Sequence, residues 1–450
     1  MKRNFNIIFL ITSIILGIIF SILIPLYQVP DEPVHINMIY EELGYNMDFV
    51  ADTNECGDTL RIVRNPDEIV NIKEYFGCSV KTDFISEVKI PSYRVVKHLP
   101  QSIGIIIGEI FDLPMLITLS IAEVMAVIFY SFICYKALQI MPIKKYLFAS
   151  IMLLPMCIQQ MSSLSYDAVL LPICFYLISY ILYLKFSKDK VNNKDILMLL
   201  MLLLIIAIIK IPYVLLGLLV FILPIKKIDI TLFKKSINYE YLKKNKKVLI
   251  TIFIILLVVI SGLMIFMLSK VDYGRVLIAC ILKPFTSIKI LFNTIIKYWL
   301  ILMKGISGEF GWLDTHVSKY YTFIVLIFII LISLFDKSKE KLSKKDNIIL
   351  VITFILISIL IFTSMIGWTF MLNNIDASNL TILELSNLIK SNITIIEGVQ
   401  GRYFLEILPL IFIPLCIKKD TKFDVSIIFY IYLIFVVIHM FIKILFRYWI

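Results

Sequence analysis

The sequence predicts an all-α fold, a polytopic bundle of transmembrane helices that forms one integral membrane domain over residues 1–450. Of the 450 residues, 60% are hydrophobic and only 17% are charged, and the mean hydropathy is +0.92. Soluble domains are about 45–50% apolar and about 25% charged, so no soluble core could bury this excess. Long apolar runs in a bilayer form helices, because backbone groups in lipid must find their hydrogen-bond partners within the same segment.

The apolar runs give about eleven spans, since a hydrocarbon core about 30 Å thick needs roughly 20 residues per helix. The first run follows Lys2 and Arg3 and is predicted to be an uncleaved anchor, because it lacks a small-residue cleavage site. The stretch 276–303 is interrupted by charged residues and is predicted to form helices in the outer interface, with a twelfth span as the alternative. The predicted spans are 5–26, 114–138, 146–164, 167–185, 196–210, 212–225, 248–268, 320–335, 348–368, 403–417 and 424–446.

The orientation follows from the positions of the lysines. They concentrate in segments 226–247 and 336–346, and the positive-inside rule therefore places these segments and the N-terminus in the cytoplasm. The large first loop 27–100, the second loop 269–320 and the C-terminus then lie outside, together with the segment 369–402. Because most of the net charge of +11 is explained by these topology signals, the charge does not indicate nucleic-acid binding.

Two of the seven cysteines, Cys56 and Cys78, lie in the first outer loop. An oxidising exterior would allow a disulfide between them. Two free thiols are the alternative, because spacing does not fix the geometry that a disulfide requires. The other five cysteines lie in apolar runs and are expected to behave as small hydrophobic residues.

The first chemical motif is PDEPVH, Pro30 to His35, directly after the first span. Pro33 suits the first turn of a helix, with Asp31 or Glu32 as its cap. Such a helix would bring Asp31 and His35 onto one face. These residues are either catalytic groups at the membrane surface or a helix cap with surface charge.

Two further acidic residues stand at predicted outer ends of spans. Asp167 closes the motif SSLSYD and starts a span, where an aspartate is often a cap. Asp314 lies in GEFGWLDT, where Gly308 and Gly311 indicate a turn that an aspartate suits. Both are candidates for a second acidic site or for binding an acceptor.

Two cations stand at the outer side, where the charge bias makes cations scarce. Lys210 begins KIPY, which also contains Tyr213, and Arg402 lies in EGVQGRYF between Gln400 and Tyr403. The planar guanidinium of arginine binds phosphate with two hydrogen bonds, so these five residues are candidates for holding an anionic headgroup. A snorkelling lysine and a juxtamembrane anchor are the simpler alternatives.

In wording and order, the motifs resemble a bacterial membrane protein family catalogued as domain of unknown function 2142. The resemblance covers nearly the whole chain, and Glu406 departs from it, because an apolar residue or proline is expected there. The matching stretches are PDEPVH, LPQSIGIIIG from Leu99 to Gly108, LPMCIQQMSSLSYD from Leu154 to Asp167, KIPY, GWLDT and GVQGRYF.

The resemblance implies a fold like the GT-C class of polytopic glycosyltransferases, which use polyprenyl-phosphate sugars, in the cytoplasmic membrane of a bacterium. It implies inverting transfer of a sugar to an envelope glycan or lipid acceptor outside the cytoplasm. The acidic residue of the first outer loop is the base in that class, and Asp31 and Glu32 match its position. No cofactor is implied with certainty. Orienting the acceptor or binding a divalent metal ion would fall to Glu32, His35 or Asp167.

Two other classes of function remain as alternatives. A transporter or flippase for a lipid-linked sugar would use ionisable residues inside the membrane, and Glu123 is the best example. An assembly factor for envelope polysaccharide would not need the carboxylates of PDEPVH. Convergence of Asp31, Lys210 and Arg402 at the outer face would favour the enzyme, and a midplane cavity around Glu123 would favour transport.

Overall fold

The structure is a computed structural model, and it describes residues 2–44, 92–232, 235–237, 240, 243, 272–373, 375, 380–416 and 424–450. Most of the predicted outer loop 27–100, the pair Cys56 and Cys78, and the predicted span 248–268 lie outside the described residues. The disulfide therefore stays a prediction.

The regular secondary structure of the described residues is helical, apart from one short antiparallel hairpin formed by β1 (Ile230–Leu232) and β2 (Lys235–Ile237). Helices of the 3₁₀ type cover Tyr93–His98, Ile211–Ile222, Ile225–Lys227 and Gly401–Phe404. The α-helices are α1 (Lys2–Leu23), α2 (Glu32–Leu43), α3 (Leu99–Ile110), α4 (Met115–Ile140), α5 (Lys145–Met152), α6 (Pro155–Met161), α7 (Asp167–Phe186), α8 (Asn193–Ile209), α9 (Asp272–Leu282), α10 (Pro284–Ser307), α11 (Lys319–Phe335), α12 (Lys344–Ser364), α13 (Ile366–Leu372), α14 (Ile382–Asn392), α15 (Pro409–Phe412) and α16 (Val425–Tyr448).

The prediction of an all-α membrane fold is confirmed. Within the described residues, six helical segments are long and apolar enough to cross a membrane. Two shorter apolar helices, Ile211–Ile222 and Lys319–Phe335, accompany them. The six segments are Asn4–Leu23, Met115–Ile140, Asp167–Phe186, Pro284–Ser307, Lys344–Leu372 and Val425–Tyr448.

Three predicted spans differ from continuous α-helices. The span predicted over 146–164 is divided into α5 and α6 before Pro155, because proline cannot continue the hydrogen-bond ladder of the preceding helix. The span predicted over 403–417 is a 3₁₀ turn followed by the four-residue α15. The span predicted over 212–225 is a 3₁₀ helix of 12 residues, which at about 2 Å per residue reaches roughly 24 Å.

Contacts between α1 and α16 define two ends of the bundle, named here the Phe5 end and the Leu23 end. The rings of Phe5 and Phe429 lie 5.5 Å apart, and Trp449 Nε1 donates a hydrogen bond to the Leu23 carbonyl at 3.0 Å. The two helices therefore run parallel, so a chain that crosses the membrane through both must cross an odd number of times.

Lysines lie at the Phe5 end, where the rings of Phe5 and Tyr146, two residues after Lys144, are 4.5 Å apart. Lys185 and Asp346 form an ion pair of 3.0 Å that joins the end of α7 to the start of α12. Lys144 Nζ donates to the carbonyls of Ser333 and Leu415. These contacts place the segment that joins α11 to α12 at the end opposite Leu23, as the charge bias predicts.

Candidate functional site

The helix predicted after PDEPVH is confirmed, because α2 begins at Glu32 with Pro33 in its first turn. Asp31 precedes the helix with a left-handed backbone, φ 67°. Aspartate is one of the few non-glycine residues that adopt this region readily. The Asp31 side chain makes no capping hydrogen bond to the helix.

Glu32 connects the PDEPVH turn to the SSLSYD segment. Its side chain is fully buried, with Oε2 accepting a hydrogen bond from Tyr27 N at 2.8 Å and Oε1 accepting one from Leu164 N at 3.2 Å. Burial raises the pKa of Glu32 to about 7, although these hydrogen bonds favour the ionised form. Glu32 is therefore a buried residue that links two segments by hydrogen bonds, whereas Asp31 lies at the surface.

The Asp31 carboxylate forms an ion pair with Arg402, with Oδ2 and Nη2 2.5 Å apart. Arg402 also donates from Nη1 to the Pro30 carbonyl at 3.2 Å. The arginine side chain is 3% exposed and the aspartate side chain is 52% exposed. The predicted base and the predicted phosphate ligand therefore meet, with the carboxylate on the open side.

Lys210 lies between tyrosine rings close to this pair. Its Nζ is 4.3 Å from the ring centre of Tyr403 and 5.6 Å from those of Tyr166 and Tyr213. The Arg402 guanidinium lies 5.3 Å from the same Tyr403 ring. Two cations therefore lie against one aromatic ring. Within the described residues, no carboxylate forms an ion pair with Lys210.

The local sequence explains why Lys210 and Arg402 stand where they do. Pro212 has no N–H to bond to the Ile208 carbonyl, and its ring would clash with that carbonyl, so α8 ends at Ile209 and Lys210 stands extended between two helices. Gly401 lets the chain before Arg402 pass against α10, because an added Cβ there would lie 2.1 Å from the Leu302 carbonyl oxygen. The Tyr213 hydroxyl donates to the Tyr403 carbonyl at 2.6 Å and ties the two segments together.

Two buried carboxyl groups face the cations. Asp167 is 4% exposed, and Glu406 is 1% exposed. Both act electrostatically on Lys210. Among the described residues, Asp167 Oδ1 and Glu406 Oε2 have no hydrogen-bond partner, and neither has Gln400 Oε1. The site therefore holds polar atoms that a ligand would satisfy.

Sequence reasoning missed His98 and Glu42, which continue the site behind His35. His35 Nδ1 lies 3.1 Å from His98 Nε2, and His98 Nδ1 lies 2.9 Å from Glu42 Oε2. Glu42 follows His35 by seven residues on α2, a spacing that places both on one helix face. This spacing was the available signal for Glu42, whereas no sequence signal places His98 beside them.

Asp314 forms an ion pair with Arg447 and not with a residue of the candidate site. Its Oδ2 accepts from Arg447 Nε at 3.0 Å and from Arg447 Nη2 at 2.8 Å, and both side chains are buried. Gly311, with φ 63°, makes room for this carboxylate, because an added Cβ would lie 2.2 Å from Asp314 Oδ1. Trp312 Nε1 donates to the Tyr27 carbonyl at 2.7 Å. The GEFGWLDT motif thus contacts the segment that leads into PDEPVH.

An open cavity lies beside the cluster. It measures about 500 Å³ and is lined by Tyr93, Arg94, Lys97, Ala207 and Ile208. Ala207 and Ile208 belong to the last turn of α8, just before Lys210. The cavity is therefore adjacent to the site.

Glu123 does not line this cavity. It lies in α4 and is 2% exposed. Its Oε2 has no hydrogen-bond partner among the described residues.

Among the described residues, no group of three or more His, Cys, Asp or Glu side chains is arranged to hold a metal ion.

A bundle of apolar helices with a buried cluster of charges at one end defines a polytopic α-helical membrane protein. Over residues 14–411, the chain matches the model of a family described as "Predicted membrane protein (DUF2142)". The chain belongs to this family, as its motifs predicted. No curated protein and no solved structure matches it.

Proposed function

We propose that this protein is a membrane glycosyltransferase that transfers a sugar from a polyprenyl-phosphate donor to an envelope glycan or lipid acceptor at the Leu23 end of the bundle. The observation that carries the proposal is the pairing of cations on Tyr403. Lys210 and Arg402 lie over one ring, and the half-exposed Asp31 carboxylate is bound to Arg402.

The two cations provide a site for the donor phosphate. Lys210 has no ion-pair partner among the described residues, and Arg402 Nε has no hydrogen-bond partner among them. Charge-assisted hydrogen bonds to phosphate are stronger than neutral ones, and a guanidinium binds phosphate with two parallel donors. A phosphate bound here would satisfy both groups.

Asp31 provides the base. A carboxylate that is half exposed can meet an acceptor hydroxyl, and a phosphate that competes for Arg402 would release the carboxylate from its ion pair. As the acceptor oxygen bonds to the anomeric carbon, its proton passes to Asp31 and the sugar–phosphate bond breaks. The polyprenyl phosphate leaves as an anion on the cations, so one carboxylate suffices, unlike the pair in a glycosidase.

The position at the end of the bundle supports a lipid-borne donor. All three candidate residues lie at helix termini: Asp31 follows α1, Lys210 follows α8, and Asp167 is the first residue of α7. A phosphate on a polyprenyl chain is held at the level of the headgroups, and the candidate residues lie at that level if the Leu23 end faces outward as the lysines predict.

The test is incubation of the protein in lipid nanodiscs with polyprenyl-phosphate sugars and envelope acceptors, followed by mass spectrometry of the products. Asp31→Asn should bind the donor and form no product, because an amide cannot accept the proton. Asp424→Asn is the matched control, because Asp424 caps α16 at the opposite end and asparagine caps about as well. Normal turnover by Asp31→Asn would exclude Asp31 as the base.

The second candidate function is transport of a lipid-linked sugar. Glu123 favours it, because a buried carboxyl inside a candidate span is expensive and is often functional. Translocation of a fluorescent polyprenyl-phosphate sugar in proteoliposomes, lost in Glu123→Gln, together with no transfer product, would select this function instead. An assembly factor would show neither activity.

A further inference from the structure

A chain of three buried side chains runs from the candidate site along α2. It consists of Glu42, His98 and His35, and it ends at Ser165, whose Oγ lies 3.4 Å from His35 Nε2. His98 is 0% exposed, His35 is 5% exposed and Glu42 is 6% exposed. Imidazole nitrogens in mutual contact away from water must share protons in a definite order.

That order can be derived from Glu42. A carboxylate only accepts hydrogen bonds, so His98 Nδ1 carries a proton and donates it. Neutral His98 then accepts at Nε2, which makes His35 Nδ1 the donor and His35 Nε2 an acceptor. Ser165 agrees with this order, because its Oγ accepts from Asp167 N at 3.2 Å and its own hydrogen is left for His35. Every nitrogen of the chain is satisfied.

The same atomic positions suit one additional proton. If His35 Nε2 binds a proton and His35 passes its Nδ1 proton to His98 Nε2, the net change is one proton gained from solvent. His35 is again neutral and now donates from Nε2 to Ser165. His98 has become an imidazolium, paired with Glu42. A buried charge needs such a hydrogen-bonded partner of opposite sign.

The cations of the candidate site oppose this uptake. Burial lowers the pKa of His35 well below its ordinary value, and the nearby His98, Arg402, Lys210 and Lys97 lower it further. An anion on Lys210 and Arg402 would offset two of these charges. Proton binding and anion binding must then favour each other, because coupling between two sites is reciprocal. The groups that contact the histidine pair or act on it electrostatically are Glu42, Lys97, Ser165, Tyr166, Lys210 and Arg402.

We propose that Glu42, His98 and His35 form a proton-binding site that takes up one proton when a phosphoryl anion occupies Lys210 and Arg402. The proposal rests on the proposed function only for the class of anion, a polyprenyl phosphodiester. His35 exchanges the proton, and His98 and Glu42 are positioning residues that fix its tautomer and hold the charge. The added proton gives the histidine pair one positive charge, and His35 of this pair is within electrostatic reach of Lys210 and Arg402, so the anion binds more tightly as the pH falls.

The test uses methyl geranyl phosphate, a phosphodiester like the donor. A phosphomonoester is unsuitable, because it titrates itself near pH 6. Calorimetric titration of the protein in buffers of different ionisation enthalpy should show up to one proton taken up per bound diester. The affinity should rise as the pH falls, by up to about tenfold per pH unit. Binding without proton uptake at any pH between about 5 and 8 would overturn the proposal, and so would absence of binding.

Glu42→Gln separates the proposed role from packing. The amide oxygen still accepts from His98 Nδ1, but it cannot stabilise an imidazolium, so the proton uptake should vanish and the affinity should lose its pH dependence. His316→Gln is the control, because the His316 side chain is 67% exposed and pairs with Glu309. Uptake that persists in Glu42→Gln would contradict the proposal.

A spectroscopic measurement needs no variant, because the chain has only four histidines. ¹⁵N-histidine NMR should show Nδ1–H tautomers for His35 and His98 in the free protein and one imidazolium after the diester binds. Histidine signals that do not change on binding would also overturn the proposal. Proton uptake without sugar transfer would support the proton-binding site and contradict the proposed transferase activity. Sugar transfer without proton uptake would support the transferase activity and contradict the proton-binding site.

Discussion

Asp31 and Arg402 form an ion pair although 371 positions separate them in the chain. The pair joins the turn after the first helix to the EGVQGRYF motif near the end of the chain. In the proposed reaction, the phosphate therefore has to displace the Asp31 carboxylate first. The guanidinium cannot give two parallel hydrogen bonds to phosphate while its Nη2 is bonded to Asp31.

Arg402 is predicted to be the main phosphate ligand. Arg402→Ala should weaken binding of methyl geranyl phosphate about ten- to a hundredfold, since loss of a charged hydrogen bond costs about 1.5–3 kcal/mol. Arg402→Lys keeps the charge but loses the fork, so it should restore only part of the affinity. The measurement is calorimetric titration, with Lys289→Ala as the control, because Lys289 is an exposed cation on α10. Binding by Arg402→Ala at the wild-type affinity would make Arg402 a structural anchor.

Glu32 is predicted to make the stability depend on pH. Burial raises its pKa from about 4.5 to about 7, so its contribution is full below about pH 4.5 and is lost as the pH rises through about 7. Thermal unfolding followed by fluorescence should therefore show a falling melting temperature over this window.

Glu32→Gln should remove this part of the pH dependence. Below about pH 4.5, where the Glu32 contribution is full, the variant should be less stable than the wild type by about 1–3 kcal/mol, because an amide nitrogen replaces one of two acceptor oxygens and leaves a backbone N–H without a partner. Glu340→Gln, at the exposed Phe5 end, controls for the loss of a carboxylate. The same slope in Glu32→Gln as in the wild type would refute this assignment.

Gly401 is predicted to be needed for the approach of α10 to Arg402. Gly401→Ala should destabilise the protein by about 1–3 kcal/mol and weaken diester binding, because the added methyl group overlaps the α10 backbone. Gly367→Ala is the matched control, since an added Cβ there meets nothing within 4 Å. Melting temperatures of the two variants make the comparison, and equal values would mean that α10 moves aside without loss.

The orientation is predicted from the lysines and can be measured by labelling. In a variant without native cysteines, Val34→Cys should react with an impermeant thiol reagent in intact cells, because Val34 is 53% exposed on α2. Glu340→Cys should react only after the cells are permeabilised. The reverse pattern would place the candidate site in the cytoplasm and would exclude a reaction at the outer face.

The sequence by itself determined the class of the protein and the local elements of the site. Hydrophobicity predicts membrane helices because transfer from water to lipid depends on composition summed along a segment. The proline at position 33 predicts the start of α2 because its fixed φ and missing N–H act within a single turn. The order of the motifs predicted the family, which the match over residues 14–411 confirms.

Only the tertiary structure decided which partner each charged residue has. Asp314 suited a site as well as Asp31 did, but the structure pairs it with Arg447, 133 positions away. Lys210 meets three tyrosines, and His98 joins His35 to Glu42, through contacts between distant segments. A buried charge needs a partner of opposite sign or a hydrogen bond. Which residue provides it depends on how distant helices pack together, and no local sequence pattern predicts that packing.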